Sequence, residues 1–204
     1  MSYNKTKIPV LDVKTGYNKA AKLYKSFHAG LASYDKWLYQ RFLPRSLTGK
    51  TILDIGSGDA RLHKYFSDKW IEKYIGFDCA ELLLKRAPSR VEQVVWDIEE
   101  VRPFEDQSID IALWFFVIVH LRDLQHFMEE AKRVLKPTGN LIILHNFQRR
   151  EYLYELTTET FKIQDHHWKP SDIEEYAQDA WFSVEQILLQ EKWADIGILY
   201  NLKP

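Results

Sequence analysis

The chain has 204 residues, a net charge of −1 and one cysteine, with 46% hydrophobic and 28% charged residues. These values are typical of an ordinary soluble globular chain, exclude a disulfide-rich or low-complexity protein, and predict one domain with a sizeable core. No apolar run approaches the roughly 20 residues that cross a bilayer, and the first residues lack an apolar signal segment, so membrane insertion is not expected. The single cysteine, Cys79, cannot form an internal disulfide, which favours a cytoplasmic protein.

The small net charge conceals an asymmetry along the chain. Residues 1–50 hold ten Lys/Arg and two acidic residues, whereas the remainder holds eighteen and twenty-seven. A basic N-terminal segment attracts an anionic substrate, a nucleic acid or a membrane surface, or docks as a helical arm on an acidic body. The charges are spread singly rather than in blocks, which disfavours a nucleic-acid partner. The sequence indicates no oligomeric state.

The N-terminal segment is predicted to be helical. Apolar and aromatic residues recur at three- and four-residue steps over residues 14–43. A second short helix is predicted over Tyr34–Phe42, ending before Pro44, because proline cannot continue a helix.

The middle of the chain alternates between short apolar runs and helical segments. The predicted strands are Thr51–Ile55, Tyr74–Phe77, Gln93–Trp96, Ile109–Phe115 and Leu141–His145. The predicted helices are Ala60–Phe66, Glu81–Ala87 and Leu124–Leu135, the last ended by a Lys-Pro-Thr-Gly turn. Such alternation predicts a parallel sheet with right-handed crossovers and helices on both faces.

The last third of the chain has a different pattern. Ser171-Asp172-Ile173-Glu174 predicts a capping box for a helix that runs to about Ala180. Two strand-like runs follow, Ser183–Leu189 and Ile196–Leu202, and the link between them is too short for a helical crossover. They are therefore predicted to pair antiparallel. The expected fold is α/β: a Rossmann-like, doubly wound, mostly parallel seven-stranded sheet with a C-terminal antiparallel hairpin.

Carboxylates are predicted at the ends of three successive strands. Asp54 ends the first strand, before a turn through Gly56 and Gly58; Asp78 ends the second and Asp97 the third. Ligands of open α/β sheets bind beyond these strand ends, where glycines permit close approach and an acid can accept hydrogen bonds from ribose. A single aspartate there often only caps the next helix, but three together favour a nucleoside ligand.

The glycine turn differs from a dinucleotide loop. Ala60 stands where a third glycine would lie, and Asp54 and Asp59 would place negative charge beside a pyrophosphate. These charges suit a ligand end that carries an ammonium or a sulfonium, which favours adenosine joined to an amino acid.

Several motifs now carry a family resemblance. The stretch ILDIGSGDAR resembles the first motif of the class I S-adenosylmethionine-dependent methyltransferases, and GFDCA resembles their second-strand acidic motif. VVWDIEEVRPFEDQSIDIALWFFVIVHLRD resembles the segment of their third and fourth strands, and EEAKRVLKPTGNLIILHN the next helix and fifth strand. KPSDIEEYAQDAWFSVEQILLQE resembles their last helix and sixth strand. The resemblance covers about residues 48–203 and is closest to the small-molecule, type 11-like branch.

The resemblance implies a set of residues around S-adenosylmethionine, from its methionine end to its adenine: Asp54, Gly56, Ser57, Gly58, Phe115, Asp78, Cys79, Asp97 and Ile98. In it, Asp54 and the glycines surround the methionine portion and Asp78 holds the ribose hydroxyls. Asp97 accepts from the adenine amine. The chain departs from the family pattern at Ala60 and at Trp181, where many members have glycine.

The same resemblance implies a domain organisation and a candidate catalytic residue. Residues 1–45 would form a helical lid that caps the substrate, and residues 46–204 the cofactor-binding body of a single domain. His120, just past the fourth strand, is the candidate general base, although a packing role is an alternative. His145 ends the fifth strand and is a further candidate to face the cleft. No metal site is predicted, because the adjacent His166 and His167 seldom ligate one ion.

The motifs that the chain lacks limit the classes of methyl acceptor. After the fourth strand there is no Asn/Asp-Pro-Pro-aromatic run and no cysteine nucleophile, patterns that serve base and glutamine methylation. A small-molecule acceptor is therefore expected. The alternatives are an RNA or protein methyltransferase that uses the basic N-terminal segment, and a catalytically silent cofactor-binding protein. An NAD-linked oxidoreductase is less favoured.

Overall fold

A computed structural model of the chain describes residues 8–24, 35, 41–97, 103–146, 152–191 and 194–204. Its main strands are β2 (Thr51–Ile55), β3 (Lys73–Asp78), β4 (Glu92–Val95), β5 (Ile109–Phe115), β6 (Leu135–His145), β9 (Ser183–Glu191) and β10 (Ala194–Lys203). Three short strands are β1 (Val10–Leu11), β7 (Tyr154–Glu155) and β8 (Thr160–Ile163). The helices within the described ranges are α1 (Val13–Ala20), α2 (Glu81–Leu84), α3 (Leu124–Val134) and α4 (Pro170–Asp179).

The main strands form one seven-stranded sheet in the order β4-β3-β2-β5-β6-β10-β9. The first five of these strands run parallel, while β10 is antiparallel to both β6 and β9. The order reverses at β2, so that β3 and β5 lie on its two sides. The predicted doubly wound sheet with a C-terminal antiparallel hairpin is therefore confirmed.

Both faces of the sheet are covered by apolar side chains. Successive residues of a strand point to opposite faces, and the core divides in that way at β2. Leu53 lies in a cluster with Trp114 and Phe127 of α3, whereas Ile52 lies in a second cluster with Phe66. Covered faces leave the carboxyl edge of the sheet as the accessible place for a ligand. None of the helices in the described ranges is long and apolar enough to span a membrane.

Two predicted elements differ from the structure near the ligand edge. The predicted helix Ala60–Phe66 is a five-residue 3-10 helix, Arg61–Tyr65, because Ala60 is left-handed with φ 53°. The helix N-terminus expected after the glycine turn is therefore wrong. The strand predicted to reach Asp97 is β4, which ends at Val95, so Asp97 lies two residues beyond the strand.

The start of α4 also differs from its prediction. Lys169, rather than Ser171, is the N-cap, and its backbone N–H donates to the Asp172 carboxylate at 2.8 Å. Pro170 occupies the first helical position, where its missing N–H costs nothing. The capping box exists, but it is shifted by two residues.

A small second sheet was not predicted. In it, β1 pairs parallel with β8, and β8 pairs antiparallel with β7. Strands of two to four residues from distant parts of the chain leave no periodic signal in the sequence. In the N-terminal segment, α1 lies inside the predicted helical range, while residues 25–34 and 36–40, which include most of Tyr34–Phe42, lie outside the described residues.

The turn after α4 forms without glycine. The N–H of Phe182 donates to the Ala177 carbonyl at 2.9 Å and the N–H of Trp181 to Gln178 at 2.8 Å, the pattern of a Schellman motif. Trp181 therefore adopts a φ of 62°, and its side chain is 84% exposed. The sequence departs from the family pattern here, yet the turn keeps a geometry that glycine adopts most easily.

We expect glycine to be the better residue at this turn. Trp181→Gly and Trp181→Ala remove the same exposed indole, but only glycine adopts positive φ without steric cost. The glycine variant should exceed the alanine variant in free energy of unfolding by about 1 kcal/mol, measured by urea denaturation. Equal stability of the two variants would contradict a left-handed residue at this position.

Candidate functional site

A cleft lies at the carboxyl edge of the sheet, above β2, β3 and β5. It contains about 840 Å³ of space not filled by protein atoms, part of it open to solvent. Among the residues predicted from the sequence, those that line it are Asp54, Gly56, Ser57, Asp78, Cys79, Phe115 and His120. The strand ends therefore bring together residues that lie up to 66 positions apart in the chain.

The glycine turn follows β2 and crosses the end of β3. Gly56 and Gly58 both have positive φ, of 64° and 57°. A Cβ atom on Gly56 would lie 2.3 Å from a methyl group of Val117, and one on Gly58 would lie 2.8 Å from the hydroxyl of Tyr24. Both positions thus require glycine for conformation and for space.

Asp78 joins the end of β3 to the glycine turn. Its carboxylate accepts hydrogen bonds from the N–H of Gly58 at 2.8 Å and from the N–H of Ala80 at 2.7 Å. Burial nevertheless raises the pKa of Asp78 to about 6, because desolvation outweighs these two hydrogen bonds. A carboxylate oxygen has more than one acceptor site, so the group can still accept from a ligand hydroxyl.

Asp54 is a second buried carboxylate on the floor of the cleft. It is 3% exposed and accepts a hydrogen bond from the hydroxyl of Tyr74 at 2.5 Å. Burial raises the pKa of Asp54 to about 7, although the Tyr74 hydrogen bond and the positive charge of Arg61 act against this rise. A cationic ligand in the cleft would lower that pKa and gain a charge-assisted contact.

Ser57 supplies a polar group without an internal partner. Its hydroxyl is buried and makes no hydrogen bond to any residue that the structure describes. Buried hydroxyl groups in folded proteins are normally paired, so this one is available to a ligand in the cleft. Together with Asp54 and Asp78, it makes the cleft chemically suited to an amino-acid nucleoside with hydroxyl and ammonium groups.

His120 lies at the other end of the cleft, in a 3-10 turn (Ile118–His120) after β5. Its Nδ1 lies 2.8 Å from the Gln164 carbonyl oxygen, and its Nε2 lies 2.8 Å from the hydroxyl of Tyr17 in α1. Burial lowers the pKa of His120, opposed by the Gln164 hydrogen bond and by the charge of Asp165. The imidazole is therefore neutral at pH 7 and capable of taking a proton.

Two of the described candidate residues, Gly58 and Asp97, are not among the residues that line the cleft. Asp97 is exposed beyond β4, although its neighbour Trp96 does line the cleft, and Ile98 lies outside the described residues. Gly58 acts through its contact with Asp78. His145, a weaker candidate, is buried with its Nε2 3.1 Å from the Trp168 carbonyl oxygen, so the expectation that it faces the cleft is wrong.

One charged cleft residue was missed by the sequence analysis. Arg61 lines the cleft and forms an ion pair with the buried carboxylate of Asp35, to which the hydroxyl of Tyr65 also donates at 3.3 Å. A lone arginine after the glycine turn gives no signal of a partner 26 positions earlier. Among the described residues, no group of three or more His, Cys, Asp or Glu is placed to hold a metal ion.

Comparison with known proteins agrees with this geometry. A family profile described as a methyltransferase domain matches residues 53–143. An uncharacterized protein of Methanocaldococcus jannaschii is 33% identical over 119 residues, which make up 54% of this chain and 56% of the relative. A "Probable S-adenosylmethionine-dependent methyltransferase" of Mycolicibacterium smegmatis is 27% identical over 169 residues, 78% of this chain and 64% of the relative. The chain thus spans about three fifths of the length of these curated relatives.

A similar solved structure is a DhpI–SAH complex. It has a TM-score of 0.73 and 15% identity, covering 93% of this chain and 94% of the other, and at that identity it establishes the fold. Residues 53–143 of the chain thus resemble a methyltransferase domain, and the relatives of the chain include S-adenosylmethionine-dependent methyltransferases. These similarities agree with the family resemblance of the sequence.

The buried carboxylate of Asp54 should reduce the stability of the unliganded protein at neutral pH. Its folded pKa of about 7 lies above the unfolded value of 3.8, so its contribution to stability is complete below pH 4 and is lost as the pH rises through 7. Asp54→Asn keeps an acceptor for Tyr74 and should raise the free energy of unfolding by about 1 to 3 kcal/mol at pH 8, with little effect at pH 4. Urea denaturation at the two pH values measures both effects.

Asp110 provides a matched control at the opposite end of the sheet. Although burial disfavours its charge, hydrogen bonds from Lys136 at 2.6 Å and Lys50 at 2.8 Å hold its pKa below the usual value. Asp110→Asn should therefore destabilise the protein at pH 8. A loss of stability in Asp54→Asn of the same size would refute the burial argument for Asp54.

Proposed function

We propose that the protein transfers a methyl group from S-adenosylmethionine to a small-molecule acceptor by direct displacement. The observation that carries this proposal is one cleft that joins a buried carboxylate pair, Asp54 and Asp78, to an aromatic wall with a neutral histidine. The size of the cleft supports a small acceptor, since pockets for small molecules commonly enclose about 300 to 1,000 Å³. A single cysteine, Cys79, supports a reducing compartment such as the cytoplasm.

The donor would lie along the glycine turn. When bound, S-adenosylmethionine supplies a methyl group on a positively charged sulfur. Asp54 would face its ammonium end, with Gly56, Ser57 and Gly58 allowing close approach of the backbone. Phe115 would form the wall beside the sulfur, since it ends β5 and lines the cleft.

The remaining donor contacts would follow the ends of β3 and β4. Asp78 would accept from the ribose hydroxyls with Cys79 beside it, and both residues line the cleft. Asp97 and Ile98 would receive the adenine edge. Support for Asp97 is its proximity to Cys79, whose pKa is raised to about 12 by burial first and then by the charges of Asp78 and Asp97.

The protein must also align the acceptor and exclude water. Methyl transfer by displacement depends mainly on alignment, and a base is needed only when the nucleophile arrives protonated. We assign that role to His120, because it is neutral, partly buried and part of the cleft wall. Aromatic residues of α1 and of the segment after it, Tyr17 and Tyr24, cover this end of the cleft.

Ligand binding tests the proposal directly. Calorimetry should show binding of S-adenosylmethionine and S-adenosylhomocysteine and none of NAD. Asp78→Ala should weaken S-adenosylhomocysteine at least about 10-fold, because hydrogen bonds to a charged group contribute about 1.5 to 3 kcal/mol. Asp68→Ala removes an exposed carboxylate outside the cleft and should bind as the wild type does. Stabilisation by NAD alone would refute the proposal, and unchanged affinity in Asp78→Ala would remove Asp78 from the site.

The affinity for S-adenosylhomocysteine should depend on pH. At pH 5 both carboxyl groups are largely protonated, since their pKa values are about 7 for Asp54 and about 6 for Asp78. Binding of an ammonium and of ribose hydroxyls favours the ionised forms, so affinity should rise about 10-fold or more between pH 5 and pH 8. Asp54→Asn should lose the part of this rise that lies near pH 7. A flat profile for the wild type would show that neither carboxylate changes charge on binding.

A further inference from the structure

A chain of hydrogen bonds runs along the acceptor end of the cleft. A carbonyl oxygen only accepts, so the Gln164 contact of 2.8 Å requires the proton of the neutral His120 ring on Nδ1. Nε2 is then the acceptor, and the hydroxyl of Tyr17, also 2.8 Å away, donates to it. The base nitrogen of His120 is therefore already occupied by the Tyr17 hydroxyl.

Packing holds Tyr17 in this position. Its ring meets His120 edge-on, with centroids 5.3 Å apart and an interplanar angle of 86°. It also meets Tyr154 of β7 edge-on, with centroids 6.1 Å apart and an interplanar angle of 78°. Tyr154 in turn stacks on Phe161 of β8. The unpredicted small sheet thus forms the support behind Tyr17.

The surroundings of this hydrogen-bond chain are largely uncharged. Apart from His120, the cleft-lining residues of the N-terminal segment and of the segment that ends β5 are apolar or aromatic: Val13, Tyr17, Tyr24, Phe115, Phe116 and Val117. Charged groups act on this hydrogen-bond chain less than burial does. The charge of Asp78 adds to the rise that burial causes in the pKa of Tyr17. Asp165 raises the pKa of His120 and His166 lowers it. Such walls favour a neutral, flat acceptor over a charged one.

We propose that Tyr17 and His120 form a proton relay for an acceptor that is neutral, flat and carries a hydroxyl group, such as a phenol. This inference rests on the proposed methyl transfer. The acceptor hydroxyl gives its proton to the Tyr17 oxygen as Tyr17 passes its own proton to Nε2 of His120. The acceptor oxygen forms the new C–O bond while the C–S bond to the methyl group breaks. The electron pair of that C–S bond stays on the sulfur, which becomes neutral. The positive charge of the sulfonium is thereby replaced by an imidazolium held by the Gln164 carbonyl.

The relay through Tyr17 follows because both ring nitrogens of His120 already have hydrogen-bond partners. With Nε2 bonded to Tyr17 and Nδ1 bonded to Gln164, neither ring nitrogen of His120 faces an acceptor directly. Tyr17 itself lines the cleft. Its raised pKa shows that it does not ionise in advance, so it must give up one proton as it takes another. Tyr17 is therefore the residue that contacts the acceptor, and His120 is the base behind it.

Two acceptors separate proton relay from packing. Phenol arrives protonated at pH 8.5, whereas 4-nitrophenol is largely ionised and needs no base. With methyl-labelled S-adenosylmethionine, Tyr17→Phe and His120→Gln should lower kcat for phenol about 100-fold and leave 4-nitrophenol within a few fold of the wild type. Tyr176→Phe makes the same change on α4, away from the cleft, and should leave both rates unchanged. Equal losses with both acceptors would overturn the relay, as would a Tyr17→Phe enzyme with full activity on phenol.

A second measurement does not depend on turnover. The imidazole ¹⁵N spectrum of the wild type should show His120 as the Nδ1–H tautomer, and Tyr17→Phe should shift the Nε2 signal and raise the pKa of His120. Unchanged signals would overturn the Tyr17–His120 contact. Transfer to benzylamine but to neither phenol would overturn the hydroxyl acceptor, and so would wild-type enzyme that binds S-adenosylhomocysteine but methylates no phenol. Failure to bind S-adenosylhomocysteine would instead refute the proposed function itself.

Discussion

The carboxylate of Asp78 is the contact on which the ligand edge of this protein depends. It fastens three segments at one point: the end of β3, the glycine turn through Gly58, and the start of α2 through Ala80. Because the turn has no long helix behind it, this contact and the positive φ of Gly56 and Gly58 largely determine its path. The same group is the proposed partner of the ribose, so the turn and the ligand would be organised by one side chain.

That arrangement carries an electrostatic cost in the unliganded protein. Asp54 and Asp78 are both buried, and burial raises the pKa of each. Asp54 has a hydroxyl donor in Tyr74, and Arg61, which also acts on it, is ion-paired with Asp35. Two buried carboxylates destabilise the unliganded protein, and a bound cation would offset the cost of burying their charge. Stability and ligand binding therefore make opposite demands on the same carboxylates.

Local signals in the sequence predicted the parts of this structure that repeat a period or a spacing. The alternation of strands and helices predicted the seven-stranded sheet, and the strand-end positions of Asp54 and Asp78 brought both to the cleft. Features that depend on distant contacts were not predictable. The small sheet joins residues more than 150 positions apart, and the bond between Tyr17 and His120 spans 103 positions. The left-handed Ala60 shortened the expected helix because tertiary packing overrode a local preference.

The proposed donor and acceptor contacts come from different parts of the fold, which has an evolutionary consequence. The proposed donor contacts arise from consecutive strands of the main sheet, where they also maintain the fold. The proposed acceptor contacts arise largely from α1, supported by β7 and β8, whose side chains form a separate small cluster around Ala20 and Phe161. Substitutions in that cluster can reshape the acceptor end without disturbing the donor end. Divergence of substrate preference within such a lineage would then concentrate in the N-terminal segment and the small sheet, while the glycine turn stays constant.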